Sequence, residues 1–172
     1  PVILVQDITR TLRNGMVTIS VADIDLGTWD NCGLDAGSIQ ISQSSFDCSN
    51  IGENTVTLTA RDMSGNEASA TALVTIEGVV PQAAISLSRA DNTYTGLPDN
   101  TIALGYGAQT LTLTATDATA DNANTVYTWS PVAGLSTTTG AITEFVPQQA
   151  GTYTFTVEAA NAYGCTSTAT VT

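Results

Sequence analysis

A two-residue rhythm governs this sequence. Val17-Thr18-Ile19-Ser20-Val21, Val56-Thr57-Leu58-Thr59-Ala60 and Ala72-Leu73-Val74-Thr75-Ile76 alternate apolar and polar side chains. So do Ala83-Ala84-Ile85-Ser86-Leu87, Leu111-Thr112-Leu113-Thr114-Ala115, Tyr153-Thr154-Phe155-Thr156-Val157 and Thr168-Ala169-Thr170-Val171-Thr172. Successive side chains of a strand point to opposite faces, so the rhythm describes strands with one buried and one wetted face. Threonine on the wetted face adds β propensity. No stretch keeps a 3.6-residue apolar stripe over three turns. Turn residues punctuate the runs at Asp30-Asn31, Asn50-Ile51-Gly52, Ser64-Gly65-Asn66, Pro98-Asp99-Asn100, Thr139-Gly140 and Tyr163-Gly164. Many short strands at this spacing make an all-β chain of antiparallel sandwiches.

The 172 residues suffice for two such modules. A boundary is expected at Gly78-Val79-Val80-Pro81, between the strand ending at Ile76-Glu77 and the run opening at Ala83, giving modules 1–78 and 79–172. The connector holds a proline and no Gly/Ser tract, which predicts a stiff, extended tandem. The chain opens at Pro1 without an initiator Met, as expected of a piece of a longer protein, and shows neither a signal-peptide pattern nor a membrane-length apolar run.

Composition narrows the chemistry. Four arginines (Arg10, Arg13, Arg61, Arg89) face 16 acids, for a net charge of −12, and neither Lys nor His occurs. Nucleic acid and anionic membranes would be repelled. Without His, imidazole-based triads are excluded; without Lys, so are Schiff bases and lysine isopeptides. A carboxylate pair is the one familiar hydrolytic device left, and aromatics at 6% are too few for the usual substrate cleft. The expectation is a non-enzyme.

Residues 1–78 resemble an HYR-type immunoglobulin-like repeat of long Bacteroidetes surface proteins. The resemblance rests on Asp23-Ile24-Asp25-Leu26-Gly27, Trp29-Asp30-Asn31-Cys32-Gly33, Ser45-Phe46-Asp47-Cys48-Ser49-Asn50-Ile51-Gly52 and Arg61-Asp62-Met63-Ser64-Gly65-Asn66. The second module resembles PKD-like or Ig-like repeats through Tyr127-Thr128-Trp129-Ser130-Pro131, Gly134-Leu135-Ser136, Gly151-Thr152-Tyr153-Thr154-Phe155 and Asn161-Ala162-Tyr163-Gly164-Cys165. It lacks the early cysteine that often accompanies the late Gly-Cys. The pair is similar in style to the gliding-motility adhesins of the SprB type. That resemblance implies two tandem Ig-like β-sandwiches in a stalk, spacer or adhesive role at the bacterial cell surface. Its implied partners are neighbouring repeats of the same chain and a surface polysaccharide or other extracellular ligand, with the fragment itself monomeric. The alternative is a carbohydrate-binding accessory module of a secreted enzyme.

Cys32 and Cys48 lie in one module beside turn residues, with 15 residues between them, and are expected to form a disulfide. Closing such a loop would contribute roughly 3 kcal/mol. Cys165 is expected to be a buried thiol, or else bonded to a segment outside the chain.

The most informative chemistry is Asp23-x-Asp25-x-Gly27-x-x-Asp30-Asn31, three carboxylates in eight residues. Such crowding is costly unless a cation neutralises it. Ca²⁺ takes six to eight hard oxygens, and the expected set is Asp23, Asp25, Gly27, Asp30, Asp62 and Asn66, the last two from the neighbouring turn. Asn31 and Asp47 are weaker contributors. The competing reading is that these residues bond their own backbone as Asx-turns. In the second module, 117–122 (with Asp117, Asp121 and Asn122) and Asp91-Asn92 are lesser candidate loops. Trp129 reads as a core residue and Tyr153 as a tyrosine corner. Trp29 is expected to pack over the disulfide, with sugar stacking as the alternative.

Overall fold

The computed structural model describes residues 1–90, 96–105, 107–119 and 124–172. Asp91, Asn92, Asp121 and Asn122 therefore lie outside the described residues. The fold is all-β and Ig-like, and the chain divides into two compact units, Pro1–Val79 and Val80–Thr172.

In the first unit, β1 (Ile8–Thr11), β6 (Glu67–Glu77), β5 (Gly52–Asp62) and β3 (Leu34–Ile41) form one sheet in the order β1-β6-β5-β3. A second, two-stranded sheet joins β2 (Met16–Thr18) to β4 (Ser45–Asp47). The long β5–β6 hairpin carries the clearest alternation, and its register sets Val56 opposite Ala72 and Asn54 opposite Val74. Val56, Leu58, Ala60, Ala72, Val74 and Ile76 are all buried, and Leu12, Ile19, Ile24 and Phe46 complete the core from outside that sheet. Burying each large apolar side chain contributes about 1.5–3 kcal/mol.

Two features depart from simple alternation. The run at 17–21 does not continue as a strand: β2 stops at Thr18, and Val21–Ile24 form a single helical turn, α1. The Asp23 carboxylate reaches back to the Ser20 N–H at 2.7 Å and the Ser20 hydroxyl at 2.8 Å, satisfying groups that open the turn. The other departure is β1, which pairs with β6 in parallel, Ile8 opposite Val74.

In the second unit the described strands all pair antiparallel. One sheet has the order β10 (Ile142–Phe145), β8 (Leu111–Asp117), β7 (Ala83–Arg89); the other has β12 (Thr166–Val171), β11 (Phe155–Ala160), β9 (Val126–Ser130). Leu113, Ala115 and Phe145 from the first meet Tyr127, Trp129, Phe155, Val157 and Ala159 from the second in one buried cluster. Trp129 is 2% exposed, and its indole N–H donates to the Gly140 carbonyl at 2.8 Å. The Tyr153 hydroxyl donates to the Gln149 carbonyl four residues upstream at 2.8 Å, two residues before β11 begins, which is the tyrosine-corner geometry.

The same kind of turn occurs within each unit. Asp62 opens the first copy, where its N–H donates to the Asn66 carbonyl and the Gly65 N–H to the Asp62 carbonyl, each at 3.0 Å. Asn161 opens the second, where its N–H donates to the Cys165 carbonyl at 3.1 Å and the Gly164 N–H to the Asn161 carbonyl at 3.0 Å. In each, the side-chain oxygen of the opening residue accepts two further backbone N–H groups.

Candidate functional site

The acidic residues fall into separate arrangements. Asp23, on α1, is spent on an ion pair with Arg10 at 2.7 Å and on the two bonds from Ser20. The Ser20 N–H and hydroxyl, and then Arg10, hold its carboxyl down at about 2. Asp25 lies just beyond the turn, and its Oδ1 accepts the Gly27 N–H at 3.1 Å, the Thr28 N–H at 2.9 Å and the Thr28 hydroxyl at 2.7 Å. Burial works to raise its pKa, but the bonds from Thr28 and Gly27 outweigh burial and lower it. Gly27 takes part in this closed turn, with φ +106°, through its own N–H.

Asp30 and the Asp62 turn do approach each other. The Met63 N–H donates to the Gly33 carbonyl at 3.1 Å, and Leu34 pairs with Asp62 across β3 and β5. The Asp30 carboxyl is lowered mainly by the Cys32 N–H at 2.7 Å and then by the Pro1 nitrogen at 3.0 Å, with the Asp62 charge opposing. Asp62 is lowered chiefly by Asn66, whose side-chain amide donates to Oδ2 at 2.7 Å and whose backbone N–H donates to Oδ1 at 2.9 Å. Asp47 behaves likewise, accepting the Ser49 hydroxyl at 2.6 Å and the Ser49 N–H at 2.8 Å.

These residues do not fit the calcium cage expected of them. Among the described residues, no group of three or more His, Cys, Asp or Glu side chains is placed to hold a metal ion. Of the expected set, Asp30 and Asp62 feel each other's charge, and the Asn66 amide donates to Asp62. The hydrogen bonds of these carboxylates to Arg10 and to local N–H and O–H groups relieve the repulsion that a cation was invoked to relieve.

The expected Cys32–Cys48 disulfide is also corrected. Cys32 is an exposed free thiol, while Cys48 and Cys165 are disulfide-bonded. Geometry forbids the expected pair. Cys32 precedes Leu34, which pairs with Asp62 at one end of β5, whereas Cys48 precedes Gly52 at the other end. The 11 residues of that strand separate the ends by roughly 30 Å, far beyond the reach of a disulfide. Cys165 is correspondingly not a free thiol. Trp29 has no disulfide beneath it and is 53% exposed, bridged through its backbone to Val2.

In the second unit Asp117 is a structural hub that sequence reading treated as a lesser metal candidate. It is 5% exposed. Its Oδ1 accepts the N–H groups of Gln82 at 2.8 Å and Thr119 at 3.0 Å, together with the Thr119 hydroxyl at 2.9 Å; its Oδ2 accepts the Thr125 hydroxyl at 2.8 Å. One carboxylate thus ties the approach to β7 to the loop leaving β8. The signal for it was its place at the end of an alternating run, where the apolar series Leu111, Leu113, Ala115 reaches Asp117 on the buried face.

Comparison with known proteins agrees with the two-module reading. The HYR domain model matches residues 1–76, and the PKD domain model matches residues 101–172. No curated protein matches the chain. Among solved structures, extracellular cadherin domains 3–6 of protocadherin gamma B2 align over 99% of this chain and 46% of theirs, at 14% identity and a TM-score of 0.34. The human desmocollin-1 ectodomain aligns over 95% of this chain and 34% of its own, at 12% identity and a TM-score of 0.32. The chain spans less than half the length of these structures.

Proposed function

We propose that this chain is a non-enzymatic spacer and adhesive segment of a large bacterial cell-surface adhesin, of the gliding-motility type. The observation that carries the reading is the succession of an HYR and a PKD domain over two Ig-like sandwiches. Both are module types that serve extracellular adhesion and are typically non-catalytic. The loops support the same role. Their carboxylates are turned onto local N–H and O–H donors, which stiffens turns instead of presenting an acid pair across a cleft. No helix among the described residues is long and apolar enough to cross a membrane. The reading does not depend on calcium.

The test is surface labelling. An antibody raised against the two modules should decorate intact source cells, and antibody Fab fragments should reduce their attachment to a surface. Labelling that needs permeabilised cells would overturn the assignment.

A further inference from the structure

The second unit contains a cavity of about 490 Å³ whose use the spacer role does not explain. Its size is that of a small-ligand site. Leu87, Leu104 and Phe145 are among the apolar side chains lining it, and Asn100, Gln149 and Tyr153 are among the polar ones. None of the described lining side chains is an acid or a base, in a chain that carries 16 acidic side chains and four arginines. A charged ligand would find no charged side chain in that lining to pair with, and burying it unpaired would be costly.

Two details make the cavity more than a packing gap. Tyr153 is 37% exposed, yet its ring is held in place: the hydroxyl is fixed on the Gln149 carbonyl, and the ring packs against Phe145 at a 57° tilt, with ring centroids 4.7 Å apart. The Asn100 amide is likewise fixed by donating to the Thr172 carbonyl at 2.7 Å, which leaves its side-chain oxygen as an acceptor. The exposed Gln149 side-chain amide has no hydrogen-bond partner among the described residues. A held aromatic ring, neutral amide donors and acceptors and an apolar floor match a ligand with apolar C–H faces and uncharged hydroxyls.

We infer that this cavity binds a neutral sugar unit of a glycan, with Tyr153 as the stacking ring and Asn100 and Gln149 as hydrogen-bonding groups. The inference is separable from the spacer role, which needs no ligand.

Calorimetry and NMR titration of the whole chain with maltotriose, cellotriose, chitotriose and mannotriose provide the test, with trigalacturonate and laurate as charged and apolar counter-probes. At least one neutral trisaccharide should bind with a Kd on the order of 1 mM. Tyr153→Ala should weaken that binding at least tenfold. Leu104→Trp, which puts a bulkier side chain at another lining position, should do the same, so a folding defect in one variant does not decide the matter. Trp29→Ala, in the other unit, should leave it unchanged. Absence of binding by all four neutral probes, preference for trigalacturonate or laurate, or dependence on Trp29 would each overturn the proposal.

Discussion

Removing the Asp117 carboxylate should damage the second module severely. In Asp117→Ala, the Gln82 and Thr119 N–H groups and the Thr119 and Thr125 hydroxyls lose an acceptor that is 5% exposed. Hydrogen bonds to a charged group are each worth about 1.5–3 kcal/mol, and bonds sharing one acceptor are not additive. Water can reach part of the vacated site, so the expected loss is roughly 3–4 kcal/mol. For a module of this size that lowers Tm by on the order of 15 °C or more. Asp117→Asn keeps an oxygen for the two N–H groups but loses the second acceptor, and should cost about 1–2 kcal/mol.

The pH dependence supplies an internal control. The opposing effect of burial is outweighed by the Gln82, Thr119 and Thr125 bonds, which hold Asp117 at about 2 against an ordinary 3.8. A depressed folded-state pKa means that the unfolded chain takes up the proton first as pH falls. The contribution, on the order of 2 kcal/mol, is therefore complete above pH 4 and lost as pH falls from about 4 to 2. Asp117→Asn should lack this component, so its deficit relative to the parent should shrink over that window. The assay is thermal unfolding in a Trp29→Phe background, in which the buried Trp129 reports the second module. A deficit within the about 0.5 kcal/mol of an ordinary surface substitution, or one that does not change between pH 5 and pH 2, would refute the reasoning.

Melting curves taken in millimolar Ca²⁺ and in EGTA should coincide; a calcium-dependent rise abolished by Asp25→Ala would reinstate the calcium site. An aromatic disulfide reagent should titrate one thiol per folded chain, and none in Cys32→Ser, because Cys32 is exposed and the other two cysteines are bonded. Gly134→Ala places a methyl 2.8 Å from Phe145 Cε2 at φ +84°, whereas Gly140→Ala has φ +99° but open space around it. Both should destabilise through backbone strain of about 1–2 kcal/mol, and Gly134→Ala should cost about 1–3 kcal/mol more, read by the shift in denaturation midpoint. Arg10→Met should raise the Asp23 pKa from about 2 without restoring the ordinary value, since Ser20 remains the larger cause; carboxyl NMR titration measures this.

The strand pattern was legible because alternation is local: β5, β6, β8 and β11 each declare their buried face within five residues. β3 was not. Its sequence, Leu34-Asp35-Ala36-Gly37-Ser38-Ile39-Gln40-Ile41, breaks the rhythm, and the pairing with β5 shifts register between Asp35 and Gln40. The parallel β1–β6 pairing was hidden for another reason, since partner choice depends on contacts 66 residues apart. At the acidic site the residues were visible but their bonds were not. A run of aspartates reads the same whether its oxygens face an ion or the next N–H along the chain. Only the fold shows Arg10 brought to Asp23 and Asn66 folded onto Asp62. The cysteines repeat the lesson. Closeness in sequence suggested a bond that the length of one strand excludes.

The placement of charge explains how a chain of net charge −12 holds firm turns. Repulsion among carboxylates is a long-range cost, screened over about 10 Å in ordinary salt, whereas each Asx-turn bond acts at about 3 Å on one oxygen. Asp25, Asp47, Asp62 and Asp117 each spend an oxygen on N–H groups two to four residues ahead. The charge is thus used to order the loop that carries it. On this account the module should fold without an added cation and keep its shape as ionic conditions change. Raising salt should therefore leave its turns intact while screening the exposed charges, chiefly the repulsion among the acids, which far outnumber the arginines. That predicts a melting temperature that is flat or gently rising with NaCl and insensitive to whether the added cation is mono- or divalent.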